Sequence, residues 1–457
     1  MDNFISHSSV SAPVANHTIP PQAYAPVALP SEIWREIAAV ASADSVLTLR
    51  QISHDIRSAV DSLDPANLNQ INQNTHSTVD LYQSDGGVRS VTRDLETQRA
   101  MTMDEHISPA LQEFFVHSND AHVRRHLAVN PSLTSEAAQQ RLAQDQNAEV
   151  REVLAVNPSL SSEAAQQTLA QDQDEWVRKA LARNPSLTSK AAQQTLAQDQ
   201  GTEVRKGLAR NLSLTSEAAQ ETLAQDQDEW VRRELAGNPR LTSDARQEAL
   251  AQDQNAKVRE ALAENPSLIS NARQERLTQD QDAAVRRYLA HNPSLNSEAV
   301  QQTLAQDQNI EIRSYLAGNP SLTSTVQQTL ARDQDTDVRA ALADNPSLNS
   351  EAAQQILAQD QNGWIRMNLA RNPSLTSEAR QEALAQDQSA DVLFALAGNP
   401  SLNSEAAQQT LAQDQNTPVR VNLAQNPSLS STVQQILAQD QDEEVRRLLR
   451  QTFPADR

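Results

Sequence analysis

Three histidines, His117, His122 and His126, sit close together in the chain. The last two have the i, i+4 spacing that brings side chains to one helical face, as in a zinc site. No glutamate completes an HExxH pattern around them, so surface histidines are the preferred reading. Gly86 and Gly87 are not followed by the Lys-Ser or Lys-Thr of a phosphate loop. Carboxylates are plentiful, but they recur at a fixed period, which marks a scaffold and not one active site. There is no cysteine, which excludes disulfides, thiolate metal sites and a cysteine nucleophile. No cofactor, metal site or nucleophile–base pair is expected, and the chain reads as a binding protein, not an enzyme.

The elements that would position a binding surface are repeats. A unit of about 27 residues is written twelve times in succession, opening at Val123, Val150, Val177, Val204, Val231, Val258, Val285, Ile312, Val338, Ile365, Val392 and Val419. A truncated copy opens at Val445, and the copies at Ile312 and Val419 are one residue short. The third copy reads VRKALARNPSLTSKAAQQTLAQDQGTE. Stacked units of this length share a core that none could build alone. Val177 and Leu181 fall on one helical face, and Asn184-Pro185 ends that helix, because proline pushes the preceding residue out of the helical region and asparagine tolerates the left-handed one. Leu212 replaces the proline in the fourth copy, which leaves that turn less strictly enforced. Thr or Ser then caps a second helix of strong helix formers, and Asp-Gln-Asp or Asp-Gln-Asn caps the next repeat. The predicted fold is an all-α solenoid of helical hairpins, although the first helix is short enough to be a 3₁₀ turn.

Comparing copies separates two arcs of the first helix. Counting the opening valine as zero, offsets zero, one, four and five stay Val, Arg, Leu, Ala; offsets minus one, two, three and six change freely. All six aromatics between Val123 and Arg450 fall on the changing arc: Trp176, Trp230, Tyr288, Tyr315, Trp364 and Phe394. Their shared face reads as a partner-binding surface, since such rings anchor interfaces; packing against a neighbouring copy is the competing reading. The arginine series (Arg178, Arg205, Arg232) and the aspartate series (Asp172, Asp199, Asp226) could form an anion site. A ladder of Asp–Arg pairs tying loops to neighbouring repeats is preferred, and Leu393 breaks the arginine series.

The net charge of −21 argues against nucleic acid unless a basic stripe is hidden, and no apolar run approaches a membrane span. Residues 1–28, rich in Ser, Ala, Pro, Asn and His with no basic residue before Arg35, read as disordered and lack the pattern of a secretory or mitochondrial leader. Residues 29–65 hold three short helical stripes, a unit too small to bury much core alone. Residues 66–106 read as a polar linker with some helix near Thr92 to Met101, and 107–122 as a half-repeat cap whose Phe114 and Phe115 close the first interface. The solenoid is expected over 123–449, with a tail over 450–457.

The pattern VRxxLAxNPxLxxxxxxxLAxD resembles the leucine-rich repeat variant family and, more broadly, HEAT-type repeats. That resemblance implies that the helix carrying Asp…Val-Arg lines the concave side, which would put Trp176, Trp230 and Trp364 in a groove. The chain differs from the variant family in repeat length and in lacking its N-terminal cysteine cluster. Residues 29–61 resemble an F-box, through Leu29-Pro30, Glu32-Ile33, Ile37, Leu47, Leu49 and Ile52-Ser53. This implies that Leu29, Pro30, Ile33, Ile37, Leu47, Leu49 and Ile52 dock on the Skp-type adaptor of a cullin ubiquitin ligase, leaving the repeats to hold a target protein. An unrelated helical cap is the alternative. The Ser-rich start is similar to the secretion signals of type III effectors from plant-pathogenic bacteria, which implies delivery into a host cell. Lysine is scarce, with only Lys179, Lys190, Lys206 and Lys257, which fits a ligase component and equally fits codon bias.

Overall fold

The computed structural model describes Leu68 and residues 79–84, 87–104 and 106–454. The expected disordered start and F-box-like unit, with all seven proposed docking residues from Leu29 to Ile52, lie outside the described residues. The chain divides into two units, Met1–Val123 and Arg124–Arg457.

The first unit corrects the linker expected over 66–106. Strands β1 (Val79–Ser84) and β2 (Gly87–Thr92) form an antiparallel hairpin in which Val79 pairs with Thr92 and Ser84 with Gly87. Val, Leu, Tyr and Thr favour a pleated surface, and Asp-Gly is the dipeptide of tight hairpin turns, so the polar residues that suggested a linker punctuate strands. Helix α1 (Leu95–Thr102) follows, capped by the Asp94 carboxylate, and helix α2 (Pro109–Phe115) is capped by Ser108 with proline at its start. Phe115 is fully buried and Phe114 meets it edge-on at 5.4 Å.

These two helices copy a whole repeat, where the sequence suggested half of one. Arg99 donates to Asp120 at 2.6 and 3.1 Å over a 21-residue separation, the spacing of the ion pairs inside the repeats. Gln112 donates to the Ile107 carbonyl as Gln193 does to that of Leu187. Buried Gln98 and Thr102 stand where a repeat has Val and Leu, so the apolar period that marks the other copies is missing.

The second unit is an all-α solenoid. In the third repeat the first helix spans Glu175–Arg183 and the second Lys190–Ala197. The first helices are α-helices of eight to ten residues, not 3₁₀ turns. Val177, Leu181, Leu187, Ala192 and Leu196 are completely buried, and the same five positions recur in the other repeats with few exceptions. First helices stack on first helices and second on second, and the first-helix layer is the more tightly packed. The last helix, Glu443–Thr452, runs past the point where a tail was expected.

Three polar ladders join the repeats. Asn184 does not adopt the left-handed conformation expected of it: its φ is −69° and ψ 123°. Its side chain carries the turn instead. Nδ2 donates to the Ala155 and Asn157 carbonyls of the preceding repeat at 2.7 and 2.9 Å, and Oδ1 accepts from the Ser186 N–H. Asn211 repeats this beside Leu212, so the fourth turn keeps its shape without proline. Gln193 reaches the other way. Nε2 donates to the Leu187 carbonyl and to Ser213 of the next repeat, and Oε1 accepts from Thr215 and Ser216.

Arginine and aspartate form the third ladder. Arg178 grips the Asp199 carboxylate of the following loop at 2.5 and 3.1 Å and donates to the backbone carbonyl of Asp172, whose carboxylate belongs to Arg151. The side chains are largely buried, so the series is structural and offers no run of free guanidinium groups for an anion. Leu393 leaves Asp414 without this partner. Leu393→Arg is expected to restore the rung and stabilise the fold by roughly 1 kcal/mol, less than a buried pair contributes elsewhere because leucine packing is given up. Thermal unfolding of the variant beside wild type measures this, and a lowered midpoint contradicts it.

Candidate partner-binding face of the first helices

The ladders occupy the constant positions of each repeat. What they leave free is the outer arc of the first helix, where Trp176 is 64% exposed and Trp230, Tyr315, Trp364 and Phe394 are about half exposed. Tyr288 is half-buried. The six rings do not form one stripe. Tyr288 and Tyr315, from adjacent repeats, share the Arg287 guanidinium at 5.3 and 5.6 Å, and His291 meets the edge of Tyr315 at 5.8 Å. Trp176 carries the Lys179 ammonium at 4.9 Å and Trp230 the Arg233 guanidinium at 5.3 Å. Trp364 and Phe394 stand in later repeats.

The sequence reading missed the charge on this face. In repeats three to five it carries Lys179, Arg183, Lys206, Arg210 and Arg233 against Glu203 and Glu234. Glu203 is shared by three cations: Lys206 Nζ donates to it at 2.8 Å, Arg183 lies at 3.5 Å and Lys179 at 3.7 Å. The Lys206 hydrogen bond, then its charge, holds the Glu203 carboxyl below its ordinary range. Arg210 forks onto Glu234 at 2.6 and 2.9 Å, which lowers the carboxyl and raises the guanidinium. Three departures from the repeat gather here. Gly207 stands where a Cβ would come within 3.1 Å of Arg183 Cγ, Leu212 is 60% exposed in the proline position, and Arg240 donates to the Leu212 carbonyl where a serine serves other repeats. The signal in the sequence was that two of the four lysines, Lys179 and Lys206, sit on the changing arc beside these departures.

Among the described residues no group of three or more His, Cys, Asp or Glu is placed to hold an ion. Among the described residues no helix is long and apolar enough to cross a membrane.

Fold and face together define a tandem-repeat α-solenoid whose first helices carry a variable face. No protein-family model matches the chain, and no curated protein matches it. Among solved structures it is similar to a leucine-rich repeat variant protein at 24% identity and a TM-score of 0.34, over 50% of this chain and 87% of that one. A homology model of the AP-3 complex matches at 14% identity and 0.34, over 90% and 82% of the two chains. Yeast importin-β matches at 11% identity and 0.31, over 89% of this chain and 58% of that one. These likenesses are of tandem helical repeats.

Proposed function

We propose that the protein is a non-catalytic scaffold whose first-helix face holds a target protein. Residues 29–65 then act as an F-box that docks a Skp-type adaptor, making the chain the substrate-recruiting subunit of an SCF-type ubiquitin ligase delivered into a host cell by type III secretion. The carrying observation is the division of labour within the repeat. Three ladders consume the constant residues, and all six aromatics stand on the arc the ladders leave free. Titratable groups recur as structural pairs at the repeat period, which supports a scaffold over a single catalytic centre. The F-box assignment rests on Leu29-Pro30 and the apolar stripe through Ile33, Ile37, Leu47, Leu49 and Ile52.

Recombinant Skp-type adaptor is expected to copurify with the full chain, and Leu29→Ala with Pro30→Ala to abolish this. Undiminished binding by the double variant, or none by wild type, returns the protein to a plain scaffold without a ligase link.

A further inference from the structure

Repeats three to five differ from the rest of the stack in charge and in shape. Five cations face two carboxylates there, in a chain of net charge −21. Two shallow depressions sit side by side on this stretch and share Arg210 and Leu212; the first is also lined by Arg183, Glu203, Lys206 and Gly207, the second by Arg233, Glu234 and Glu264 of the sixth repeat. Gly207 leaves Arg183 room to lie across the floor, and Leu212 supplies an exposed apolar contact between the cations. Trp176 and Trp230 stand in the first and last of the three repeats.

We propose that this patch docks an extended acidic segment of the target protein, with one carboxylate on Arg183 of the third repeat, the next on Lys206 and Arg210 of the fourth, a third on Arg233 of the fifth, and an apolar side chain against Leu212. The proposal deepens the scaffold reading of the first-helix face and rests on it. Adjacent packed helices lie about 8–10 Å apart, and an extended chain rises about 3.3 Å per residue. Every third residue of the segment therefore meets a new repeat, so the chemistry that fits is Glu-x-x-Glu-x-x-Glu with leucine between. A polynucleotide fits less well, because Glu203 and Glu234 are interleaved with the cations and the surrounding chain is acidic. Glu203 occupies the place of a partner carboxylate: it holds Lys206, Arg183 and Lys179 until a competing acid arrives.

The test is fluorescence anisotropy with the full chain and a labelled peptide of four Glu-Leu-Ser units. Wild type is expected to bind, more weakly as salt rises. Lys206→Ala with Arg210→Ala is expected to weaken binding at least tenfold, and Glu203→Gln to tighten it several-fold by freeing three cations. Thermal melts check that the variants stay folded, and the opposite sign of the Glu203→Gln effect stands even where the double variant is unstable. No binding, equal binding by the double variant, weaker binding by Glu203→Gln, or tighter binding of a single-stranded oligonucleotide through the same residues overturns the proposal. The adaptor copurification above reports on the ligase link separately, so the two fail independently.

Discussion

Replacing Gln193 with alanine is expected to cost about 3–5 kcal/mol and to split the unfolding of the repeats into two transitions. The side chain is fully buried, and its four hydrogen bonds end on backbone groups: the carbonyls of Leu187 and Ser213 and the N–H groups of Thr215 and Ser216. Alanine strands all four. Each buried orphan costs about 1–3 kcal/mol, and water entering at the half-buried members offsets part of the total. Three of the four lost bonds, one from Nε2 and two to Oε1, cross to the next repeat, so the lesion weakens one interface more than the units beside it. In a linear array that interface carries the cooperativity, and its loss uncouples the two segments. Denaturant unfolding followed by far-UV circular dichroism measures both effects. Gln198→Ala, at an exposed position one turn along, is expected to change stability by less than about 0.5 kcal/mol. A single unshifted transition for Gln193→Ala contradicts the ladder's role.

Arg205→Ala is the second large effect, again about 3–5 kcal/mol, because removing one partner of a buried pair leaves an uncompensated charge. Arg205 holds the Asp226 carboxylate at 2.6 and 3.0 Å and donates to the carbonyls of Asp199 and Gln200, while the Asp226 side chain is 5% exposed. Adding Asp226→Asn is expected to recover part of the loss, since the amide keeps its acceptor for the Asp228 N–H without the charge. No recovery in the double variant argues against a charge effect.

The same ladder sets the acid limit of the fold. Burial pushes the Asp280 carboxyl up, but hydrogen bonds from Arg259 and the Asp282 N–H, with the nearby guanidinium charges, bring it below its ordinary value. Asp387 and Asp440 sit in the same balance with Arg366 and Arg420. A depressed carboxyl adds stability above the unfolded value of about 3.9, and loses it as pH falls through the folded one. Denaturation midpoints are therefore expected to hold between pH 7 and pH 5 on account of these groups and to fall below about pH 4. A ladder that contributed nothing would give Arg259→Ala the same acid profile as wild type.

Period and helix punctuation were legible in the chain because they rest on local chemistry. The Val–Leu spacing and the Ser, Asp and Asn caps each act within one turn of helix; the apolar spacing holds through the stack, and most of its helices carry a side-chain cap bond. The capping repeat around Arg99 was half hidden, because Gln98 and Thr102 fill core positions with polar side chains and so erase the apolar rhythm. The hairpin was missed because its turn residues resemble those of a linker.

The sequence by itself determined the repeat, its two helices and which arc of the first helix is free to vary, since these follow from spacing along one chain. It also showed that Asn, Gln, Arg and Asp recur. Only the tertiary structure decided what they join: Asn184 reaches back one repeat, Gln193 reaches forward one, and Arg178 takes the aspartate 21 residues ahead, not the one six behind. The cationic patch is likewise a product of stacking, which brings Arg183, Glu203 and Lys206 together from two repeats. The physical reason is common to both. Side-chain reach across a helix interface depends on how units are stacked, and sequence separation does not report it.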